Sequence, residues 1–251
     1  MRGFIIDSSL KCEMAIKKGY DGSIHASSSA VASDMKTRGH KKEDVYAARI
    51  GGRVIKGRQK PDVIKGSERT SVKGAATNIQ LLLISGKNEL KKCIEVYGIN
   101  SPIYKFQLAG AEHRKFKFEN DDYIDEDLLS KFRNAANDAA EWLRNKNNFR
   151  IVIEKVFSDN YDANKLAVLK EVDQDAILYD MKDVVDLYVN SDYKIHVTDS
   201  AKIVVRADNR EIFYLEIRGG KDHCGSMNHG VRTSGLYDFL KENLNYNIIP
   251  A

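Results

Sequence analysis

Segments with the periodicity of helices alternate with segments that have the periodicity of strands along the whole of this chain. The clearest helix is expected in DEDLLSKFRNAANDAAEWLRNK, with acidic residues at its start and Lys and Arg near its end. Another is expected in HKKEDVYAARIGG, where Val45, Ala48 and Ile50 form an apolar stripe and Gly51-Gly52 ends the helix. Because both types of element intermix throughout, the sequence predicts an α/β or α+β fold.

Strands are predicted in several other places. PDVIKG and RTSVKGA form a hairpin around Gly66-Ser67, and a second hairpin turns at Asp208-Asn209. Alternation or apolar runs predict further strands in RVIKG, SPIYKFQLAG, HRKFKFE and FRIVIEKVF. Helices are predicted in NELKKCIEVYG and LYDFLKENL, whereas NIQLLLIS fits a buried strand or a helix equally well. Helical or mixed structure is expected for the acidic segment up to about residue 189, and a polar loop for GGKDHCGSMNHGVRTSG.

Length and cysteine content narrow the class of protein. The 251 residues suffice for a substantial core, and we predict a single domain over residues 1–251. Three scattered cysteines favour a reducing compartment over a disulfide framework. Neither a signal peptide nor a run of about 20 apolar residues, as a membrane span needs, is found. The expected location is the cytoplasm of a bacterium or archaeon.

Charge is distributed unevenly. The segment from Lys36 to Lys73 contains twelve Lys or Arg and four Asp or Glu, whereas Asp159 to Asp186 contains eight acidic and three basic residues. The basic segment is typical of a surface that meets a polyanion, and the acidic one of a solvated face.

The hairpin in the basic segment carries a pair of residues suited to phosphodiester hydrolysis. That reaction needs a metal held by hard oxygen ligands and a cation that orients the attacking water. Adjacent strands bring Asp62 close to Lys73, eleven residues later. Ser71 and Lys73 share one face of their strand while Val72 points the other way, and Gly74 permits close approach of a ligand. Glu43, on the preceding helix, offers a second carboxylate.

This arrangement resembles the PD-(D/E)-x-K nuclease superfamily and, within it, type II restriction endonucleases. The resemblance covers about residues 40–85: the helix with Glu43, then Pro61-Asp62, then Ser71-Val72-Lys73. It implies a central mixed sheet flanked by helices, a catalytic core over about residues 36–110, and Mg²⁺-dependent cleavage of double-stranded DNA.

The resemblance also implies roles for individual residues. Asp62, the Val72 backbone carbonyl and Glu43 would bind the metal, and Lys73 would position the water. Ser71 stands where the family has an acidic residue, so Glu43 or Glu68 would supply the second carboxylate, or the chain would be an inactive DNA-binding module. Gln80 stands where some members place a helper residue.

DNA contacts are predicted at two places. In the basic segment the candidates are Lys41, Lys42, Arg58 and Lys60, with Gln80 following. In the C-terminal hairpin and loop, about residues 195–235, donors suited to bases or phosphates are Lys221, Asn228, Arg232 and Thr233. The same loop contains His223, Cys224 and His229, which weakly suggest zinc or an HNH nuclease.

Together these features predict a type II restriction endonuclease acting as a homodimer on palindromic sites, with a DNA methyltransferase possible nearby in the genome. A structure-specific repair or recombination nuclease of the same superfamily is the alternative enzyme.

Overall fold

A computed structural model describes residues 29–55, 61–74, 78–85, 88–120, 122–158, 162–219 and 224–251. Helices and strands intermix in it, which confirms the predicted mixed fold class. The helices are α1 (Ser29–Ile50), α2 (Glu89–Tyr97), α3 (Pro102–Glu119), α4 (Glu126–Arg144), α5 (Lys146–Ser158), α6 (Met181–Asn190) and α7 (Phe239–Asn243), with a π-helical turn at Ser234–Asp238 before α7.

The strands form two sheets. They are β1 (Arg53–Val54), β2 (Val63–Lys65), β3 (Glu68–Gly74), β4 (Asn78–Ile84), β5 (Lys165–Leu169), β6 (Ala176–Asp180), β7 (Lys194–Val197), β8 (Ile203–Ala207), β9 (Arg210–Ile217), β10 (Met227–Arg232) and β11 (Asn247–Ile249). The first sheet has the order β1-β2-β3-β5-β6-β11 and is mixed, because β3 and β5 pair in parallel while the other pairs are antiparallel. The second sheet, β4-β10-β9-β8-β7, is antiparallel.

Two apolar clusters hold these layers together. The larger takes side chains from both sheets and from α2 to α7, for example Val168 of β5 and Leu215 of β9. The smaller lies between α1 and the first sheet, where Tyr46 and Ala47 cover Val72, Ala167 and others. The helix that carries Glu43 is therefore packed directly on β3, the strand that contains Lys73.

Glycines and turn-forming residues in the sequence correctly predicted the end of α1 and the turns of two hairpins. Helix α1 ends at Ile50, with the Gly52 amide bonded to the Ala47 carbonyl. The β2–β3 hairpin turns at Gly66, whose φ of 58° suits glycine. Asp208 and Asn209 both have positive φ, as a tight hairpin turn requires. The predicted stripe of α1 was wrong in one respect, because Ala48 is exposed and the buried residues are Tyr46 and Ala47.

The strands predicted in SPIYKFQLAG, HRKFKFE and FRIVIEKVF are wrong. The first two form α3, in which the Ser101 side chain caps the first turn by accepting from the Ile103 amide. Residues 103, 106, 107 and 110 are buried, a helical spacing. In α5, residues 149, 152, 153 and 156 repeat that spacing, and the Asn145 side chain accepts from the Asn147 amide.

The acidic segment is mixed, as predicted, whereas the polar segment near the C-terminus differs from expectation. The acidic segment contains β5 and β6, whose residues 166–169 and 176–179 are all buried, before α6 begins. The polar loop predicted near the C-terminus is a strand from Met227 to Arg232, in the interior of the second sheet. Residues 220–223 of that segment lie outside the described residues.

Candidate active site

Asp62 lies just before β2, where the backbone fixes its position on both sides. Its amide donates to the Thr70 carbonyl at 2.9 Å, and its carbonyl accepts from the Ile55 amide at 2.8 Å. Because β2 is antiparallel to β3, this residue stands beside the C-terminal half of β3. The Pro61-Asp62 pair is therefore held against Ser71, Val72 and Lys73, as the hairpin predicts.

One oxygen of the Asp62 carboxylate collects three contacts from β3. The Val72 amide donates to Oδ2 at 2.6 Å, and the Ser71 hydroxyl donates to it at 3.2 Å. Lys73 Nζ lies 3.8 Å from the same atom. Both side chains are mostly buried, with 15% of Lys73 and 19% of Asp62 exposed, so bulk water screens this pair less than a surface pair.

Glu43 approaches the pair from α1. Burial raises the pKa of its carboxyl, and the charge of Asp62 raises it further, whereas the hydrogen bond to His40 and the charges of His40 and Lys73 lower it. These interactions place Glu43 within electrostatic reach of both hairpin residues. His40 Nδ1 lies 3.1 Å from Glu43 Oε2. The sequence analysis missed His40, although its position three residues before Glu43 on one helix face is a local signal.

The oxygen atoms offered by Asp62, Glu43 and the Val72 backbone are of the type that hard divalent cations bind. In a strand, the N–H and C=O of one residue point to the same side. The Val72 carbonyl therefore faces the side on which its amide meets Asp62. Two carboxylates and one carbonyl suit Mg²⁺, which retains several waters when it binds proteins. Within the described ranges, no three His, Cys, Asp or Glu side chains converge as a metal site.

The structure argues against two alternatives that the sequence leaves open, namely Glu68 as a metal ligand and a zinc or HNH site that includes His229. Glu68 begins β3, five residues before Lys73, which corresponds to about 17 Å along a strand. It therefore lies at the far end of the strand from the site. The zinc or HNH interpretation fails at His229, which is buried, with Tyr97 Oη 2.8 Å from its Nε2 and the Leu82 carbonyl 3.2 Å from its Nδ1. His223 lies outside the described residues.

The DNA-contact residues predicted in the basic segment differ in their exposure and in their hydrogen-bond partners. Lys41 is exposed on α1, as expected for a phosphate contact. Lys42 instead donates to the backbone carbonyls of Leu169 and Lys170, which corrects its interpretation as a DNA contact. Arg58 and Lys60 lie outside the described residues.

The remaining predicted contacts lie on the second sheet. Gln80 is exposed on β4, and its side-chain oxygen accepts from Arg218 at 3.0 Å. Arg232, 41% exposed, pairs with Glu211 at 3.4 Å, and Thr233 follows it, partly exposed.

Asn228 corrects the prediction of a base-reading loop. It is 1% exposed, and its Nδ2 donates to Glu216 Oε1 at 3.0 Å, so it does not belong to an exposed surface. Lys221, the last predicted contact in this segment, lies outside the described residues.

Comparison with known proteins adds no family assignment. The chain matches no protein-family model, and no curated protein shows significant sequence similarity to it. Among the described residues, no helix is both long and apolar enough to cross a membrane.

Proposed function

We propose that this chain is a Mg²⁺-dependent endonuclease that cleaves double-stranded DNA at specific sites, of the type II restriction class. The observation that carries the proposal is the mostly buried Lys73–Asp62 ion pair at 3.8 Å, whose two charges both act on Glu43 of α1. Asp62 precedes β2 and Lys73 lies near the end of β3, so only the fold brings the three residues into interaction. One cation beside two carboxylates, mostly shielded from water, is the arrangement that phosphodiester hydrolysis needs.

Each residue has a distinct role in this proposal. The Asp62 and Glu43 carboxylates and the Val72 carbonyl hold the metal, which supplies Lewis-acid activation of water and of the scissile phosphate. The Lys73 ammonium, 3.8 Å from Asp62, orients the attacking water and offsets charge that develops on the phosphate. Ser71 and the Val72 amide both donate to Oδ2, so they fix the rotamer of Asp62.

Positive charge near the site suits a polyanionic substrate. Lys41 is exposed on α1 two residues before Glu43, within the basic segment from Lys36 to Lys73. Phosphate contacts of this kind supply most of the affinity for DNA and make it dependent on salt. Sequence specificity would come from a two-fold symmetric homodimer acting on a palindrome, with a cognate methyltransferase protecting host DNA.

The decisive experiment is cleavage of plasmid DNA by purified protein with Mg²⁺ and with a chelator. Discrete fragments that require Mg²⁺ support the proposal. Cleavage confined to branched or damaged duplexes would favour a repair or recombination nuclease of the same superfamily instead.

A second candidate is a DNA-binding module without nuclease activity. It is favoured by the Ser71 hydroxyl at the position of the family's acidic residue, because this leaves β3 without a carboxylate near Lys73. DNA binding without cleavage under all metal conditions would support this candidate, and any metal-dependent cutting would exclude it.

A further inference from the structure

The Lys42 side chain extends toward the end of β5. Its Nζ donates to the Leu169 carbonyl at 3.4 Å and to the Lys170 carbonyl at 2.5 Å. The side chain crosses Gly74, the last residue of β3, where an added Cβ would lie 3.0 Å from Nζ and 3.1 Å from Cδ of Lys42. The glycine after Lys73 thus leaves room for this lysine.

Arg49 makes a similar contact further along α1. Its two terminal nitrogens donate to the carbonyls of Gln174 at 2.7 Å and Val172 at 2.6 Å. All four acceptors of Lys42 and Arg49 belong to the last residue of β5 or to the turn between β5 and β6. Each bond joins a charged donor to a backbone carbonyl, and such bonds are stronger than neutral ones.

The spacing of these residues determines what the contacts fix. Seven residues separate Lys42 from Arg49, so both lie on one stripe of α1, within about 20° of each other. Glu43 follows Lys42 and therefore lies about 100° around the helix. The four hydrogen bonds made by these two side chains along one stripe fix the rotation of α1 about its axis, and with it the direction in which Glu43 points.

We infer that Lys42 and Arg49 are positioning residues of the candidate active site, which clamp α1 to the β5–β6 turn and so hold Glu43 toward Asp62 and Lys73. The catalytic part of this inference rests on the proposed function, whereas the clamp does not. Lys42 acts through Glu43 and does not touch substrate.

The clamp is tested first without reference to activity, by amide hydrogen exchange of α1. Lys42→Met keeps the length of the side chain but removes the donor. We expect exchange in α1 to become about ten- to a hundred-fold faster, the range for loss of a hydrogen bond from a charged group. Lys91→Met makes the same charge change at an exposed position of α2. It is the matched control and should leave exchange in α1 unchanged. Unchanged exchange in Lys42→Met would overturn the clamp.

Gly74→Ala provides a second variant that leaves Lys42 in place. The new methyl group would lie 3.0 Å from Lys42 Nζ, so the Lys42 side chain must shift by a few tenths of an ångström, and the perturbed hydrogen bonds should accelerate exchange in α1 in the same direction but less than Lys42→Met does. Exchange in Gly74→Ala equal to that of the wild type would contradict this geometry.

Positioning is then tested by kinetics in a double-mutant cycle. Lys42→Met should lower kcat at least about tenfold with little change in KM for DNA, and it should cost nothing further in a Glu43→Gln background. A change confined to KM, or additive effects on kcat, would overturn the positioning role. If the wild-type protein does not cleave DNA, the proposed function fails, and hydrogen exchange still decides the clamp.

Discussion

Lys73 Nζ lies 3.8 Å from Asp62 Oδ2, although Lys73 belongs to β3 and Asp62 precedes β2, and neither is freely exposed. The same oxygen accepts hydrogen bonds from the Val72 amide and the Ser71 hydroxyl. Two hydrogen bonds and one ion pair on the same carboxylate oxygen fix its position. Replacement of the carboxylate, of the lysine or of a neighbouring residue should therefore change DNA cleavage to different extents.

Replacement of Asp62 by Asn or of Lys73 by Met should lower DNA cleavage by at least about 10²-fold, because each removes a charge that acts on the chemical step. Binding should persist, and Asp62→Asn should bind DNA as tightly as the wild type or more so, since it removes negative charge near phosphate. Cleavage and gel-shift assays on the same preparations measure both effects.

A matched control is available on the same sheet. Lys165 and Asp180 form an ion pair at 2.7 Å between β5 and β6. Lys165→Met and Asp180→Asn make identical chemical changes outside the site and should leave cleavage unchanged. Wild-type rates in the Asp62 or Lys73 variants would show that the assignment of the site is wrong.

Glu43 and Ser71 should differ sharply in their importance. Glu43→Gln removes a carboxylate that interacts with both members of the pair, so cleavage should fall by at least about 10²-fold and remain measurable. Ser71→Ala removes one of three contacts to Asp62 Oδ2, and loss of a hydrogen bond worth about 1 kcal/mol should slow cleavage less than about tenfold. Single-turnover cleavage rates would rank the two.

The reverse ranking would mean that Ser71, or a water bound to it, is the group that matters. Retained activity in both variants would point to an acidic residue from the C-terminal half of the chain.

Arg232 is the best placed of the predicted base-contacting residues. If it reads a base, Arg232→Ala should weaken binding to the specific duplex by about 1–3 kcal/mol and change non-specific binding little. A phosphate contact would instead weaken binding to all sequences and reduce the salt slope by about one. Affinities for specific and scrambled duplexes at several salt concentrations separate the two.

Asn228→Ala serves as the contrasting variant. Because this side chain is buried and donates to Glu216, its loss should reduce the free energy of unfolding by about 1–3 kcal/mol without altering the discrimination between duplexes. Asn190→Ala, on the exposed end of α6, is the control for stability. Altered discrimination in folded Asn228→Ala would restore the interpretation as a base contact.

His229 should make stability depend on pH. Burial lowers the pKa of its imidazole to about 3, whereas the unfolded chain takes up a proton near pH 6.5. The unfolded state therefore binds more protons between these values. The stabilisation is complete above about pH 6.5 and is lost as pH falls toward 3, with a limiting slope of about 1.4 kcal/mol per pH unit.

Urea unfolding of the wild type and of His229→Gln between pH 5 and 7 measures this contribution as a difference in slope. His113, whose pKa is also lowered by burial, affects both proteins equally. The raised pKa values of Glu43 and Glu89 act in the opposite direction in both. Equal slopes in His229→Gln and the wild type would contradict the prediction.

The sequence by itself determined the features whose causes lie within a few residues. The end of α1 and the two hairpin turns follow from residues that tolerate positive φ. The hairpin in turn sets the approach of Asp62 to Lys73, which lie only eleven residues apart. In α3, the Ser101-Pro102 start favours a helix, whereas the alternation of apolar residues that follows is typical of a strand, and the helix forms.

Tertiary structure decided the rest, because it joins residues that no local pattern relates. Glu43 interacts with Asp62 and Lys73 only because α1 packs on β3 and β5. Lys42 resembles a DNA contact in the sequence, because its acceptor, the Leu169 carbonyl, lies 127 residues away in the chain. The polar residues of β10 are typical of a loop when they are considered without their partners. In the fold, His229 is buried and its Nε2 lies close to Tyr97 Oη, 132 residues away in the chain. Contacts across such loops depend on which surfaces pack together, and that is a property of the whole core.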